Sequence, residues 1–243
     1  MRDRQPRFSG RREAAIGLGA YAVYLGVRAL VANEHGRARA RRNALRLVAL
    51  ERRLRLDLEP HLQERCLGRP RMLAALNVSY VTLNVVLTVG ALMRLYLRRD
   101  PRFHRFRRAA ALSLLGACPV FYAFPCAPPR SLDGFVDTVG EVLDLDSGLV
   151  VYLYNPIAAM PSIHLAFAVV TGAAVAETAR SPLVRALARL YPPVVFGTVV
   201  ATANHYVLDC IAGSGLAVAG LRVARSRASR TASWSAPRIG CER

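Results

Sequence analysis

Asn155-Pro156-Ile157-Ala158-Ala159-Met160-Pro161-Ser162-Ile163-His164 runs from an irregular, proline-bearing stretch into an apolar helix and leaves a histidine at its mouth. Proline at the first turn of a helix sacrifices an amide that has no intrahelical partner anyway. The amides that follow, including those of Ser162 and Ile163, are then available to an anion. His164 sits where it would protonate a leaving oxygen as a general acid. Some forty residues on, a second apolar segment opens with His205-Tyr206-Val207-Leu208-Asp209. His205 and Asp209 are four apart, so on a helix they share a face with roughly 5–6 Å between their Cβ atoms. The carboxylate would take one imidazole nitrogen and aim the other outward as a nucleophile. Either pattern alone recurs by accident. At the mouths of two spans, where an unpaired charge is costly, the pair reads as one phosphate-handling site.

Composition agrees with a membrane setting. The chain has 243 residues, 53% of them hydrophobic, a mean hydropathy of +0.24 and several long apolar runs, which points to one integral membrane domain. The net charge of +18 comes entirely from arginine, as no lysine is present. These arginines lie between the apolar runs instead of on one soluble face, so topology explains them better than a nucleic-acid partner. Cys66, Cys118, Cys126, Cys210 and Cys241 are odd in number and form no Cys-x-x-Cys pair. They indicate neither a disulfide framework nor a zinc site.

The apolar runs predict an all-α, polytopic helical bundle of about six transmembrane helices: 14–32, 72–97, 109–124, 163–176, 183–203 and 205–221. Residues 1–12 read as a basic cytoplasmic tail, 13–222 as the membrane domain and 223–243 as a disordered basic tail. The connector Arg94–Arg108 carries seven arginines against Asp100, a cytoplasmic signature. Asn77 and Asn84 are placed to bond across the bundle. Segment 33–71 holds eleven arginines and five acids, with Leu47, Leu50, Leu54 and Leu58 at helical spacing. It reads either as an amphipathic helix in the headgroup plane or as a helix packed on the protein's own loops. Six spans with both termini inside put this basic segment outside, against the charge rule.

In the loop 125–160 the composition inverts, with Asp133, Asp137, Glu141, Asp144 and Asp146 against the single Arg130. That loop is expected on the external face, together with His164 and His205. Pro125, Pro128 and Pro129 stiffen its start and present Arg130 from a rigid turn.

These motifs resemble the type 2 phosphatidic acid phosphatase superfamily, whose second motif is Pro-Ser-x-His and whose third ends in His-x-x-x-Asp. Pro161-Ser162-x-His164 and His205-x-x-x-Asp209 match them. Ala127-Pro128-Pro129-Arg130, Gly134-Phe135-Val136-Asp137, Asn155-Pro156 through Met160 and Asn204-His205-Tyr206 are similar to the branch containing inositol phosphotransferases. The resemblance extends over residues from about 45 to 220. It implies a membrane enzyme with its site on the non-cytoplasmic face: His205 as the nucleophile that becomes a phosphohistidine, Asp209 as its orienting group and His164 as the acid. It also implies substrate-binding roles for Ser162, Asn204 and Arg130, the last in place of the absent lysine-bearing first motif. Thr198 and Val199 stand where the arginine opening the third motif would be.

The resulting expectation is a lipid phosphatase or phosphotransferase in a bacterial plasma membrane, acting on a phospholipid or polyprenyl phosphate without a cofactor or metal. Two other readings compete. One is a non-catalytic protein of the same fold that binds anionic lipid or a partner through its basic segments. The other is a metal site made by His164, His205 and Asp209, a plausible ligand set by type, against which the resemblance counts.

Overall fold

The computed structural model describes residues 8–140 and 157–233. Expectations that fall on 1–7, 141–156 and 234–243, among them Asn155, Pro156, Glu141, Asp144, Asp146 and Cys241, lie outside the described residues. Nine α-helices are present among the described residues: α1 (Gly10–Val31), α2 (Glu34–Leu54), α3 (Glu59–Leu67), α4 (Pro70–Val78), α5 (Asn84–Leu97), α6 (Phe103–Ala123), α7 (Ile163–Thr178), α8 (Pro182–Ala201) and α9 (Val207–Ser233). A π-helical turn, Ser79–Leu83, joins α4 to α5. Among the described residues, paired extended backbone is limited to one parallel bridge, Cys126 with Ala158.

Side-chain caps start several helices. Ser9 accepts the Arg12 amide at the head of α1, Asn33 the Gly36 amide at α2 and Ser162 the Leu165 amide at α7. Helix α9 is central, packed on α6, α7 and α2, while α7 also packs on α8, α5 and α6, and α1 lies outside against α6. Small residues allow the close approaches. A Cβ on Gly172 of α7 would stand 2.6 Å from the Ala188 carbonyl oxygen of α8. Asn84 donates to the His164 carbonyl at 2.6 Å and Asn77 to the Thr138 carbonyl at 2.7 Å, the cross-bundle bonds their sequence positions predict.

Among the described residues, three helical stretches are long and apolar enough to cross a membrane: Gly10–Val31, Pro182–Ala201 and Val207–Ser226. The other expected spans fall short of that measure for identifiable reasons. Helix α6 opens with His104, Arg105, Arg107 and Arg108, α7 is only 16 residues long, and α5 is 14 residues beyond the π turn. At the arginine-rich end of the bundle, Arg107 pairs with Glu13 at 2.8 Å and Arg105 with Glu177, tying α6 to α1 and α7.

Segment 33–71 forms two helices at the other end of the bundle, against the chain that carries Arg130. Asn43 donates to the Pro125 carbonyl at 2.9 Å, and the Ala127 amide donates to the Ala40 carbonyl at 3.2 Å. The inward face of α2 is Ala40, Asn43, Ala44, Leu47 and Glu51, and not the leucine stripe read from the sequence. Leu50, Leu54 and Leu58 are 45%, 52% and 43% exposed, so of that stripe only Leu47 is buried. Small side chains let α2 lie close to the loop, which is why the apolar phase alone misassigns its face.

Candidate active site

The end of α8 turns back on itself before α9 begins. Ala203 takes φ 50°, a left-handed conformation uncommon for a residue with a Cβ. The Asn204 and His205 amides both donate to the Val199 carbonyl, at 2.9 and 3.1 Å. The Ala203 carbonyl, turned outward, accepts the Arg130 amide at 2.9 Å, so the proline turn and the His205 turn are locked together.

His205 is buried, and its Nδ1 lies 2.9 Å from the Ala159 carbonyl oxygen and 3.4 Å from Asp209 Oδ2. A carbonyl oxygen only accepts, so Nδ1 carries the proton and Nε2 keeps its lone pair. Nε2 points at His164, 3.4 Å from its Nδ1. The i, i+4 spacing does bring Asp209 to His205, but the closer partner is a backbone carbonyl from the loop before α7. Composition and spacing carry no signal for that contact.

His164 projects from the first turn of α7, with the Tyr80 ring of the π turn against it at 4.4 Å between centroids and 31° between planes. A π turn offsets the helix by one residue and commonly marks a functional position. Here it places Tyr80 on the imidazole and Asn84 on the carbonyl of the same residue. The two imidazoles are 5.5 Å apart between centroids, so a phosphoryl group entering between them must move the His164 ring aside.

Arg130 is 4% exposed; its Nη1 donates to Asp137 Oδ1 at 2.8 Å, and its charge reaches both His205 and Tyr80. Asp137 is in turn held by the Val139 and Gly140 amides at 3.2 and 2.9 Å. Ser162 is fully buried, caps α7 through its hydroxyl and donates its amide to the Asp209 carbonyl at 3.0 Å. Asn204 is 2% exposed, its amide group donates to Thr202 Oγ1 at 2.7 Å, and its Oδ1 has no hydrogen-bond partner among the described residues. Thus His205, Asp209, His164 and Arg130 converge, while Ser162 and Asn204 brace the two turns beside them.

Two acids that sequence reasoning passed over complete the site from behind. The first amides of α9 meet three carboxylates: Tyr206 donates to Asp209 Oδ2 at 3.0 Å, Val207 to Glu59 Oε1 at 2.8 Å and Leu208 to Glu51 Oε1 at 2.7 Å. Carboxylates at a helix N-terminus satisfy orphan donors and favour the dipole. Burial pushes Glu51 up from 4.5 to about 8 and raises Glu59 as well, the Leu208 and Val207 amides opposing the rise. The available signal was the phase of Glu51, seven residues after Ala44 and four after Leu47 on the inward face. Among the described residues no three His, Cys, Asp or Glu side chains are grouped to hold a metal ion.

In a helical bundle with apolar helices, a carbonyl-held histidine thus faces a second histidine, with a buried arginine beside them. Residues 45–223 match the family model of the PAP2 superfamily, and the chain belongs to that superfamily. Its apolar helices and this membership make it an integral membrane protein of a phosphatase-type family. No curated protein and no solved structure matches the chain.

Proposed function

We propose that this protein is a lipid phosphatase or phosphotransferase that works through a phosphohistidine on His205. The observation that carries the reading is the donation of His205 Nδ1–H to Ala159, which leaves Nε2 nucleophilic and aimed at His164. Nε2 attacks phosphorus, the bond to the lipid alcohol breaks, and His164 supplies the proton that alcohol needs. Asp209 and Ala159 bear the positive charge that develops on the imidazole, and Arg130 draws the equatorial phosphoryl oxygens. The Ser162 amide, expected from the sequence to be open to an anion, is taken by the Asp209 carbonyl, so Ser162 contributes by capping α7, whose N-terminal dipole faces the site. Asn204 offers its carbonyl oxygen to a substrate hydroxyl. Water or a second alcohol then releases the phosphoryl group, giving hydrolysis or transfer.

The likeness of the sequence around Arg130, Asp137 and Asn204 to inositol phosphotransferases favours transfer of inositol phosphate. In this reading the chain crosses a bacterial plasma membrane six times, through α1, the continuous α4–π–α5 helix, α6, α7, α8 and α9. The arginine-rich end with both termini is cytoplasmic and the site is external. A second reading, a non-catalytic member that binds anionic lipid, is favoured by Thr198 and Val199 in place of a motif arginine and by the contact of the two imidazoles.

The test is phosphate release and headgroup transfer by purified protein in detergent, offered phosphatidic acid, a polyprenyl diphosphate and phosphatidylinositol, with inositol or a lipid alcohol present. Activity abolished by both His205→Ala and His164→Ala supports the mechanism and names the substrate class. Activity that survives His205→Ala overturns the phosphohistidine mechanism, and no activity on any lipid favours the non-catalytic reading.

A further inference from the structure

Glu51 and Glu59 come from α2 and α3, each about 150 residues from the helix whose amides they accept, and they are 1% and 2% exposed. They accept the amides of consecutive residues, Glu51 from Leu208 at 2.7 Å and Glu59 from Val207 at 2.8 Å, which brings the two carboxyl groups together at the head of α9. A carboxyl group donates only when protonated. Two buried carboxylates in contact cannot both be ionised at modest cost, whereas a pair sharing one proton satisfies every lone pair it presents to α9. Among the described residues, groups that face the pair include Asp209, Tyr206, Cys126 and Cys210, and these four are not cationic. No arginine from the otherwise arginine-rich α2 neutralises it, because those side chains lie on the outward face.

We propose that Glu51 and Glu59 are positioning residues that hold one proton between them, seat the first turn of α9 and set a single negative charge behind His205 and Asp209. The seating fixes where Asp209 and the His205 turn lie. The charge favours the imidazolium character that His205 gains as it bonds to phosphorus. A pair with no net charge would supply only the first effect, and a doubly ionised pair would expel itself from the core. The kinetic part of this proposal rests on the phosphohistidine reading; the shared proton does not.

The experiment uses the full chain in detergent, with Glu51→Gln, Glu59→Gln and the double variant. Infrared spectroscopy near neutral pH is expected to show the carbonyl stretch of a protonated carboxyl in the wild type and its loss in Glu51→Gln. Glutamine keeps an oxygen for the α9 amide and has the shape of the protonated acid. Each single variant therefore retains kcat within about threefold, while the double variant, which keeps the seating and loses the charge, falls by roughly tenfold or more at similar KM. Melting curves separate these losses from unfolding, and where the double variant does not fold the infrared result on Glu51→Gln decides. No protonated-carboxyl band, a band unchanged in Glu51→Gln, or a double variant as active as the singles overturns the proposal. A wild type inactive on every lipid overturns the phosphohistidine reading instead, and the infrared arm still decides whether the pair shares its proton.

Discussion

Gly213 faces the Ser162 carbonyl so closely that a Cβ placed on it would stand 2.1 Å from that oxygen. One turn earlier on α9 the Asp209 carbonyl accepts the Ser162 amide at 3.0 Å, so α9 and the loop before α7 touch backbone to backbone. This contact sets the distance between the two histidines, because each sits within a turn of it. Gly213→Ala would force the backbones apart, an overpacking that costs about 1–3 kcal/mol. We expect a melting temperature lower by several degrees and a fall in kcat/KM on the order of 10²-fold, as for a misplacement of about 1 Å. Gly172→Ala is the control: its clash with Ala188 lies along the α7–α8 seam, so melting falls comparably while kcat/KM changes far less. Equal losses of activity in both would show that the Gly213 contact has no special bearing on the site.

His164 is assigned the proton that the leaving alcohol receives. His164→Asn should therefore reduce turnover of an alkyl phosphate by about 10²–10⁴-fold, the usual weight of a positioned acid. An aryl phosphate such as p-nitrophenyl phosphate leaves without help, and its turnover should fall much less. His205→Asn removes the nucleophile and should abolish both. Steady-state rates on the two substrates check this, and a His164→Asn loss independent of leaving group would reassign that residue to binding.

The Ala159 carbonyl, at 2.9 Å, holds His205 Nδ1 more closely than Asp209 Oδ2 does at 3.4 Å. In a triad whose carboxylate alone fixes the tautomer, its amide variant costs about 10⁴ in kcat. Here Asp209→Asn leaves the carbonyl in place and retains an oxygen for the Tyr206 amide. The expected loss is nearer 10²-fold, read from kcat with the melting temperature unchanged to within a few degrees. A full 10⁴-fold loss would mean that Asp209, and not Ala159, selects the tautomer.

The helices, the convergence of His164 with His205 and Asp209, and the proline turn at Arg130 were legible because each depends on local pattern. Apolar length marks a span, i, i+4 spacing fixes a shared face, and proline forbids a helix. What was not legible depends on contacts between residues 46 to 157 apart in the chain. The Ala159 carbonyl that holds His205 is backbone, with no side-chain signature at all. Glu51 and Glu59 were passed over among the five acids of 33–71, since nothing local says that their face of α2 and α3 meets the start of α9. The leucine stripe misled for the complementary reason. Leu50 and Leu54 are apolar at helical spacing, yet α2 turns its alanines inward where the backbones must come close, and leaves the leucines on the outside. The contacts of Asn43 and Ala40 with the Pro125 and Ala127 backbone are those of a helix packed on the protein's own loop, one of the two sequence readings of 33–71.

Glu51 also makes a prediction about stability against pH. Burial first, then the charges of Glu59 and Asp209, raise its carboxyl from 4.5 to about 8. The folded protein therefore keeps a proton that the unfolded chain releases between those values, and ∂ΔG/∂pH for unfolding is negative across the window. Stability is fullest below the unfolded value and is lost as pH rises through about 8. His104, which burial lowers from 6.5, acts in the opposite sense below that pH, so the clean interval lies above it. Thermal melts in detergent from about pH 6.5 to 8.5 should show the wild type losing stability with rising pH, while Glu51→Gln, which cannot ionise, stays flatter. Parallel curves for the two proteins would show that Glu51 does not hold its proton in the native state.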